Sequence, residues 1–338
     1  MFTLVAICGI LLAEYAEKEN FMATFKNTGR HAQDNPKMKK STLIVIILAA
    51  VLVAAFIFGL TIGLSGGNTN GSKTETEFVE HKPEKVKKDE KITINDPSNG
   101  EIEIDAVEGF QKNLYVNENF KLDKNGMMTY YIDGEVASCM GVDLSEYQGE
   151  VNFEKLKKQG FEFVMLRIGG RGYGSEGKMY VDTNYHSYYK AAKDAGLKVG
   201  GYFFSQAKNA EEGKEEADFV MNSIYGMDFD YPVAFDWELI EGDTARTDDV
   251  GPTDLTDAAI SFCETLKAEG YEPIIYANIH LMYQKYELER LKSYDFWIAD
   301  YEDNPSMYYN FTMWQYDIEG QVDGINGNVD MNICMKNY

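Results

Sequence analysis

The sequence predicts an α/β fold whose mostly parallel sheet closes into a barrel, and three observations carry the prediction. From Cys139 onward apolar, strand-like runs alternate with helical patterns, the order that builds parallel sheets. There are eight such runs, enough to close a barrel. Several end in acids: Asp143 on the first, Asp236 and Glu238 on the fourth, Asp300 on the sixth. In a parallel barrel functional groups gather at the carboxyl ends of the strands. Long helices are missing between the last three runs, so the expectation is a TIM-like β/α barrel, irregular in its final third.

Composition sets the bounds. With 338 residues, 44% hydrophobic and 13% aromatic, the chain can bury one full-sized core plus extensions. A formal charge of -23 argues against a nucleic-acid partner, which needs a basic face. His31 and His81 fall outside the expected globular part, and His186 and His280 show no HxH or HExxH spacing, which disfavours a histidine-bound zinc hydrolase. Cys8, Cys139, Cys263 and Cys334 form no CxxC pair, which argues against a structural metal site.

Taken in order, Phe2 to Ala13 is too short an apolar run for a span and lacks a basic n-region. One reading makes Met22 or Met38 the natural start. Read from Met1, residues 1–41 are a cytoplasmic segment, and Thr42 to Leu64 is the membrane signal, about 23 uncharged residues or about 35 Å of helix. Arg30, Lys37, Lys39 and Lys40 precede it, so the following chain is expected outside the cytoplasmic membrane. Cleavage near Ser65 after a signal peptide is the alternative. The GLSGG match to GxSxG at Gly63 to Gly67 has no strand before it or helix after it and is set aside. Residues 65–99 are rich in Gly, Ser, Thr, Lys and Glu and read as a flexible linker. Residues 100–138 regain alternation, with turns at Lys124-Asn125-Gly126 and Asp133-Gly134, and read as a short β-rich lead-in.

Residues 139–338 form the barrel. Its expected strands are CMGVDLS, FEFVMLRIG, KVGGYFFS, YPVAFDWE, EPIIYAN, DFWIADY, FTMWQYD and NVDMNIC. The helical stretches NYHSYYKAAKDAG, AEEGKEEADFVMNSIYG and LTDAAISFCETLKAEG lie between the earlier ones. The fourth run is central. Strand side chains alternate faces, so Asp236 and Glu238 project to one side, roughly 6 to 7 Å apart by strand rise. Burial and mutual repulsion then raise the pKa of one, as a general acid requires; solvent-facing acids at a strand end are the plain alternative. Asp330 joins this rim only if the last strand runs the other way. GYGSEG, Gly172 to Gly177, fits GxGxxG but opens no helix and is read as a rim loop. The strand-end aromatics Tyr202, Phe204, Trp237, Tyr276, Trp297, Tyr301, Trp314 and Tyr316 are divided between a sugar groove and plain core.

GVDLSEYQGEVNFEKLK (Gly141 to Lys157), GGYFFSQA (Gly200 to Ala207), YPVAFDWE, IYAN, FWIADY and MWQYDIEGQVDGINGNVDMN (Met313 to Asn332) together resemble the family 25 glycoside hydrolases, muramidases of bacteria and phages. The resemblance covers about residues 139 to 338 in the same order. It implies five β/α units followed by three closing strands, and cleavage between N-acetylmuramic acid and N-acetylglucosamine in peptidoglycan. It also implies Glu238 as proton donor with Asp236, Asp143 and Asp330 as acidic companions. The substrate-binding candidates are Tyr202, Phe204, Trp237, Tyr276, Trp314 and Gln315, with Asp300 at a position that varies in the family.

On this reading the protein is an enzyme anchored through residues 42–64 that cuts peptidoglycan glycan strands. It needs no metal or cofactor. Because Asp236 shares Glu238's strand face, it suits a substrate-assisted path in which it orients the 2-acetamido group. A non-catalytic wall-binding scaffold is the alternative. Finally, an antiparallel last strand beside the first would bring Cys139 and Cys334 together at the barrel floor within disulfide reach, as a bridge or as two small buried thiols, leaving Cys263 a free core thiol.

Overall fold

The computed structural model describes residues 84–96 and 100–338. The expected span at 42–64, the cytoplasmic segment and most of the linker lie outside the described residues. Among the described residues no helix is long and apolar enough to cross a membrane.

The described chain opens with an antiparallel hairpin of β1 (Lys91–Asp96) and β2 (Gly100–Asp105). β1 corrects the expectation for 65–99: its pattern KITIND buries Ile92 and Ile94 on one face, so regular structure begins inside the stretch that composition assigns to a linker. A three-stranded antiparallel sheet follows, of β3 (Phe120–Leu122), β4 (Met128–Ile132) and β5 (Glu135–Val136).

The barrel strands are β6 (Cys139–Leu144), β7 (Phe163–Arg171), β9 (Lys198–Ser205), β10 (Val233–Trp237), β11 (Pro273–Asn278), β12 (Asp295–Ala299), β13 (Met313–Gly320) and β14 (Val329–Cys334). They match the eight runs expected. β8 (Met179–Val181) is an addition, an antiparallel flap on β7 whose connection contains the GYGSEG loop. Pairing runs β6, β7, β9, β10, β11, β12, β13 in parallel, then antiparallel through β14 back to β6, which closes the barrel. Helices α1 (Phe153–Lys158), α2 (Tyr185–Asp194), α3 (Ala210–Ser223), α4 (Pro252–Ala268) and α5 (Ile279–Gln284) each follow one of the first five barrel strands, and none separates the last three.

Local chemistry explains the helices. Asn209 caps α3 through Oδ1, which accepts from Glu212 N, and Glu211 and Glu212 sit in its first turn, where the helix dipole favours them. Pro opens α4, whose Leu255, Ala258, Ala259, Phe262, Cys263 and Leu266 form its buried stripe. α3 approaches α4 so closely at Gly213 that a Cβ there would lie 2.3 Å from the Ala258 carbonyl oxygen. The lumen is packed by Phe163, Met165, Tyr231, Ile274, Tyr276, Trp297 and Met313. Gly141 leaves room there for the Phe163 ring, which a Cβ would meet at 2.3 Å.

Among the described residues no helix lies over β12 to β14, and residues 106–132 cover their outer apolar faces. Phe110 packs on Tyr309 and Phe296 with ring centroids 4.4 and 5.9 Å away, Tyr115 on Phe311 at 5.0 Å, and Phe120 on Trp314 at 5.2 Å. Main-chain polar groups are tied across the same seam: Val107 N donates to Tyr309 Oη at 2.9 Å, and Met128 N to Tyr316 Oη at 3.2 Å. The lead-in is therefore part of the barrel's own core.

Cys139 and Cys334 are register partners on β6 and β14, as the antiparallel closure requires. Of the two alternatives the structure has the unbridged one: both, like Cys263, are free thiols.

Candidate active site

Strand parity builds the site. β14 runs antiparallel to β6, so Asp330 pairs directly with Asp143 at the end of the barrel where the parallel strands finish. On β10, Asp236 pairs with Phe204 of β9 and Tyr276 of β11, and Glu238 follows two residues on. All four acids line one cleft of about 500 Å³ with Tyr202, Phe204, Tyr276, Trp297, Tyr301 and Gln315. Larger grooves of about 820 and 690 Å³ lie beside α1 and β4, but they gather no buried acids.

The acids fall in two neighbouring pairs, Asp236 with Glu238 two residues on and Asp143 with its register partner Asp330. Burial is the largest influence on each and raises all four carboxyls, because a low-dielectric site disfavours charge. The neighbouring charges of Glu238 and Asp143 push Asp236 further up, and that of Asp330 pushes Asp143. Asp330, the least enclosed of the three aspartates, is raised to about 6. The cleft therefore holds transferable protons near neutrality.

Asp143 is fixed in place. Its Oδ2 accepts from Gln315 Nε2 at 2.9 Å and from Asn332 Nδ2 at 2.8 Å. Gln315 Oε1 in turn accepts from the hydroxyls of Tyr276 (2.9 Å) and Tyr301 (2.7 Å), while Asn332 Oδ1 accepts from Trp297 Nε1 at 2.8 Å. Asp236 contrasts with it: its Oδ1 is buried without a hydrogen-bond partner. Such an acceptor costs about 1–3 kcal/mol when left unmet, so a donor arriving there gains correspondingly.

Of the substrate-binding candidates, Tyr202, Phe204, Tyr276 and Gln315 line the cleft. Trp237, Trp314 and Asp300 do not, and alternation is the reason. Trp237 stands between two inward acids, so its ring packs outside the barrel, with Nε1 donating to the Ala207 carbonyl at 3.1 Å. Trp314, next to inward Gln315, packs outward on Phe120 and Tyr316. Asp300 follows inward Ala299, and its Oδ2 accepts from Ser306 N (2.6 Å) and Oγ (2.7 Å), which fixes the adjoining loop. Tyr316 likewise belongs to the outer core.

Arg167 and Tyr147 are cleft residues that the sequence reading passed over. Arg167 Nε donates to Asp182 Oδ2 at 2.7 Å and Nη2 to Glu146 Oε1 at 3.0 Å, and the Tyr147 ring lies over its guanidinium at 4.8 Å. The signal was present: a charged residue inside the apolar run FVMLRIG, at the parity of Phe163 and Met165, has to face the lumen side.

Comparison with known proteins agrees with this architecture. The chain is 28% identical over 193 residues to the autolytic lysozyme of Clostridium acetobutylicum, an alignment covering 57% of this chain and 54% of that protein. It is 25% identical over 209 residues to lysozyme M1 of Streptomyces globisporus, covering 59% and 68%. The chain thus spans about half the length of the first relative and about two thirds of the second. Among solved structures, a family 25 glycosyl hydrolase from Bacillus anthracis shares the fold with a TM-score of 0.51 at 22% identity, over 62% of this chain and 93% of that one. The family model for glycosyl hydrolases family 25 matches residues 142–325, more than half of the sequence, and the chain belongs to that family.

Proposed function

We propose that the protein is a muramidase that hydrolyses the β-1,4 bond between N-acetylmuramic acid and N-acetylglucosamine in peptidoglycan by a substrate-assisted route. Its family and the lysozymes among its relatives support the substrate class. One observation carries the mechanism: Asp236 and Glu238, two residues apart at the end of β10, line the same cleft, and Asp236 Oδ1 is buried there without a hydrogen-bond partner. Two carboxyls carried on one side of a strand end approach a sugar from the same side, whereas paired-carboxylate glycosidases hold theirs on opposite sides of the bond.

Glu238 gives its proton to the leaving glycosidic oxygen. Asp236 accepts from the N–H of the substrate's 2-acetamido group at its unpartnered Oδ1, and the acetamido oxygen attacks the anomeric carbon. Water then opens the cyclic intermediate, delivering its proton back to Glu238, and configuration is retained. Asp143 and Asp330 hold the local charge and orient sugar hydroxyls or the water. The run Thr42 to Leu64 with its basic flank supports anchoring in the cytoplasmic membrane with the barrel outside.

The test combines Glu238→Gln with proton NMR of the fresh product. The variant is expected to lose turnover by a hundredfold or more, the scale of acid catalysis, while still sedimenting with peptidoglycan. The wild-type product should carry the retained anomer. An inverted anomer would overturn the substrate-assisted route, and wild-type protein that sediments with peptidoglycan without cleaving it would make the protein a wall-binding scaffold.

A further inference from the structure

Strand β10 ends at Trp237, whose ladder partner is Ser205 at the end of β9. Glu238 is the next residue, beyond the last ladder pair. Its main-chain carbonyl is met by a side chain: Gln206 Nε2 donates to it at 3.1 Å. Gln206 is completely buried, and its other polar atoms are all engaged. Thr247 Oγ1 donates to its Oε1 at 2.8 Å, Arg246 Nη1 to its carbonyl at 2.7 Å, and its own N–H reaches Glu216 Oε1 at 3.3 Å. Arg246 is itself clamped by both oxygens of Glu212 in the first turn of α3, at 2.7 and 2.8 Å. The side chain of Gln206 thus joins the end of β9, the main chain at Glu238 and the loop that follows β10.

We propose that Gln206 is a positioning residue for the reaction, holding Glu238 at the angle from which it meets the glycosidic oxygen. The inference rests on Glu238 being the acid. A carboxyl one residue past the sheet has no ladder to fix its backbone, and a misplacement of about 1 Å at a reacting group can cost about a hundredfold in rate. The Gln206 amide replaces the missing rung. It touches neither substrate nor the reacting atoms, so its loss should act on the chemical step and leave substrate binding alone.

Two variants test this. Gln206→Met keeps the length of the side chain and removes its hydrogen bonds; kcat should fall tenfold or more with KM within threefold, in a protein that melts cooperatively. Gln206→Glu keeps the acceptor for Thr247 but turns an anion toward the Glu238 carbonyl. Its protonation restores a donor, so its kcat relative to wild type should rise severalfold as the pH is lowered from about 7.5 to about 5, measured on folded protein. A folded Gln206→Met with kcat within twofold of wild type, or a Gln206→Glu ratio that is flat with pH, would overturn the proposal. If Gln206→Met does not fold, Thr247→Val frees the amide while leaving Gln206 in place, and an unchanged kcat there would overturn it equally. Glu238→Gln is assayed alongside. Should it keep turnover, the acid assignment fails and the proposal with it; should it be inactive while folded Gln206→Met is fully active, only the proposal fails.

Discussion

Replacing Asp330 by Asn should stabilise the protein at neutral pH, and by an amount that depends on pH. Burial raises the Asp330 carboxyl from its ordinary 3.8 to about 6. A gap of that size is worth at most about 3 kcal/mol, at about 1.4 kcal/mol per pH unit. The sign follows from proton linkage. Below about pH 4 the folded and unfolded chains both hold the proton, and the variant should differ little. As the pH rises through about 6, the unfolded chain releases its proton more readily than the folded one, and wild type loses stability that the amide keeps. Asn also keeps a polar acceptor opposite Asp143, the register partner of Asp330. Urea melts of both proteins from about pH 4 to about pH 8 read the difference directly. The variant's advantage should grow from near zero to about 2–3 kcal/mol, with turnover sharply reduced. A difference that is constant with pH, or a variant less stable than wild type at about pH 7.5, would refute the reasoning.

Two further outcomes follow from the fold. Tyr130→Ala should destabilise by about 3–5 kcal/mol, the usual cost of deleting a buried aromatic, because its ring lies 4.5 Å from Phe120 in the seam that covers the helix-less strands; a loss below about 1 kcal/mol in a denaturant melt would mean that the lead-in is dispensable to the barrel. A mild disulfide oxidant should join Cys139 to Cys334, since register partners on antiparallel strands have Cα atoms about 4.5–5.5 Å apart, within disulfide range. Mass spectrometry of non-reduced peptides should then find that link and leave the buried Cys263 unlinked; no link after exhaustive oxidation would contradict the register.

Much of the barrel was legible because its strands are buried on both faces and so read as continuous apolar runs. FVMLRIGGR is buried at every position. Antiparallel closure was legible as a condition: Asp143 and Asp330 meet only if the last strand reverses, and it does. The errors came from treating strand-end aromatics as a class when parity sorts them. Asp236 and Glu238 facing inward already require Trp237 to face outward, and the same alternation sends Trp314 and Asp300 away from the cleft. What sequence could not give was long-range partnership. Nothing in FKL announces that the lead-in covers β12 to β14, because that role exists only once the described helices are found to leave those strands bare. Gln206 was equally hidden, since its importance lies in the carbonyl it meets, 32 residues away.

The most direct test of the account is to incubate residues 84–338 with purified peptidoglycan, reduce the released fragments with borohydride and identify the sugar at the new ends. Reduced muramic acid at those ends, absent with Glu238→Gln, is the predicted result. Reduced glucosamine instead, or fragments released equally by the variant, would contradict it.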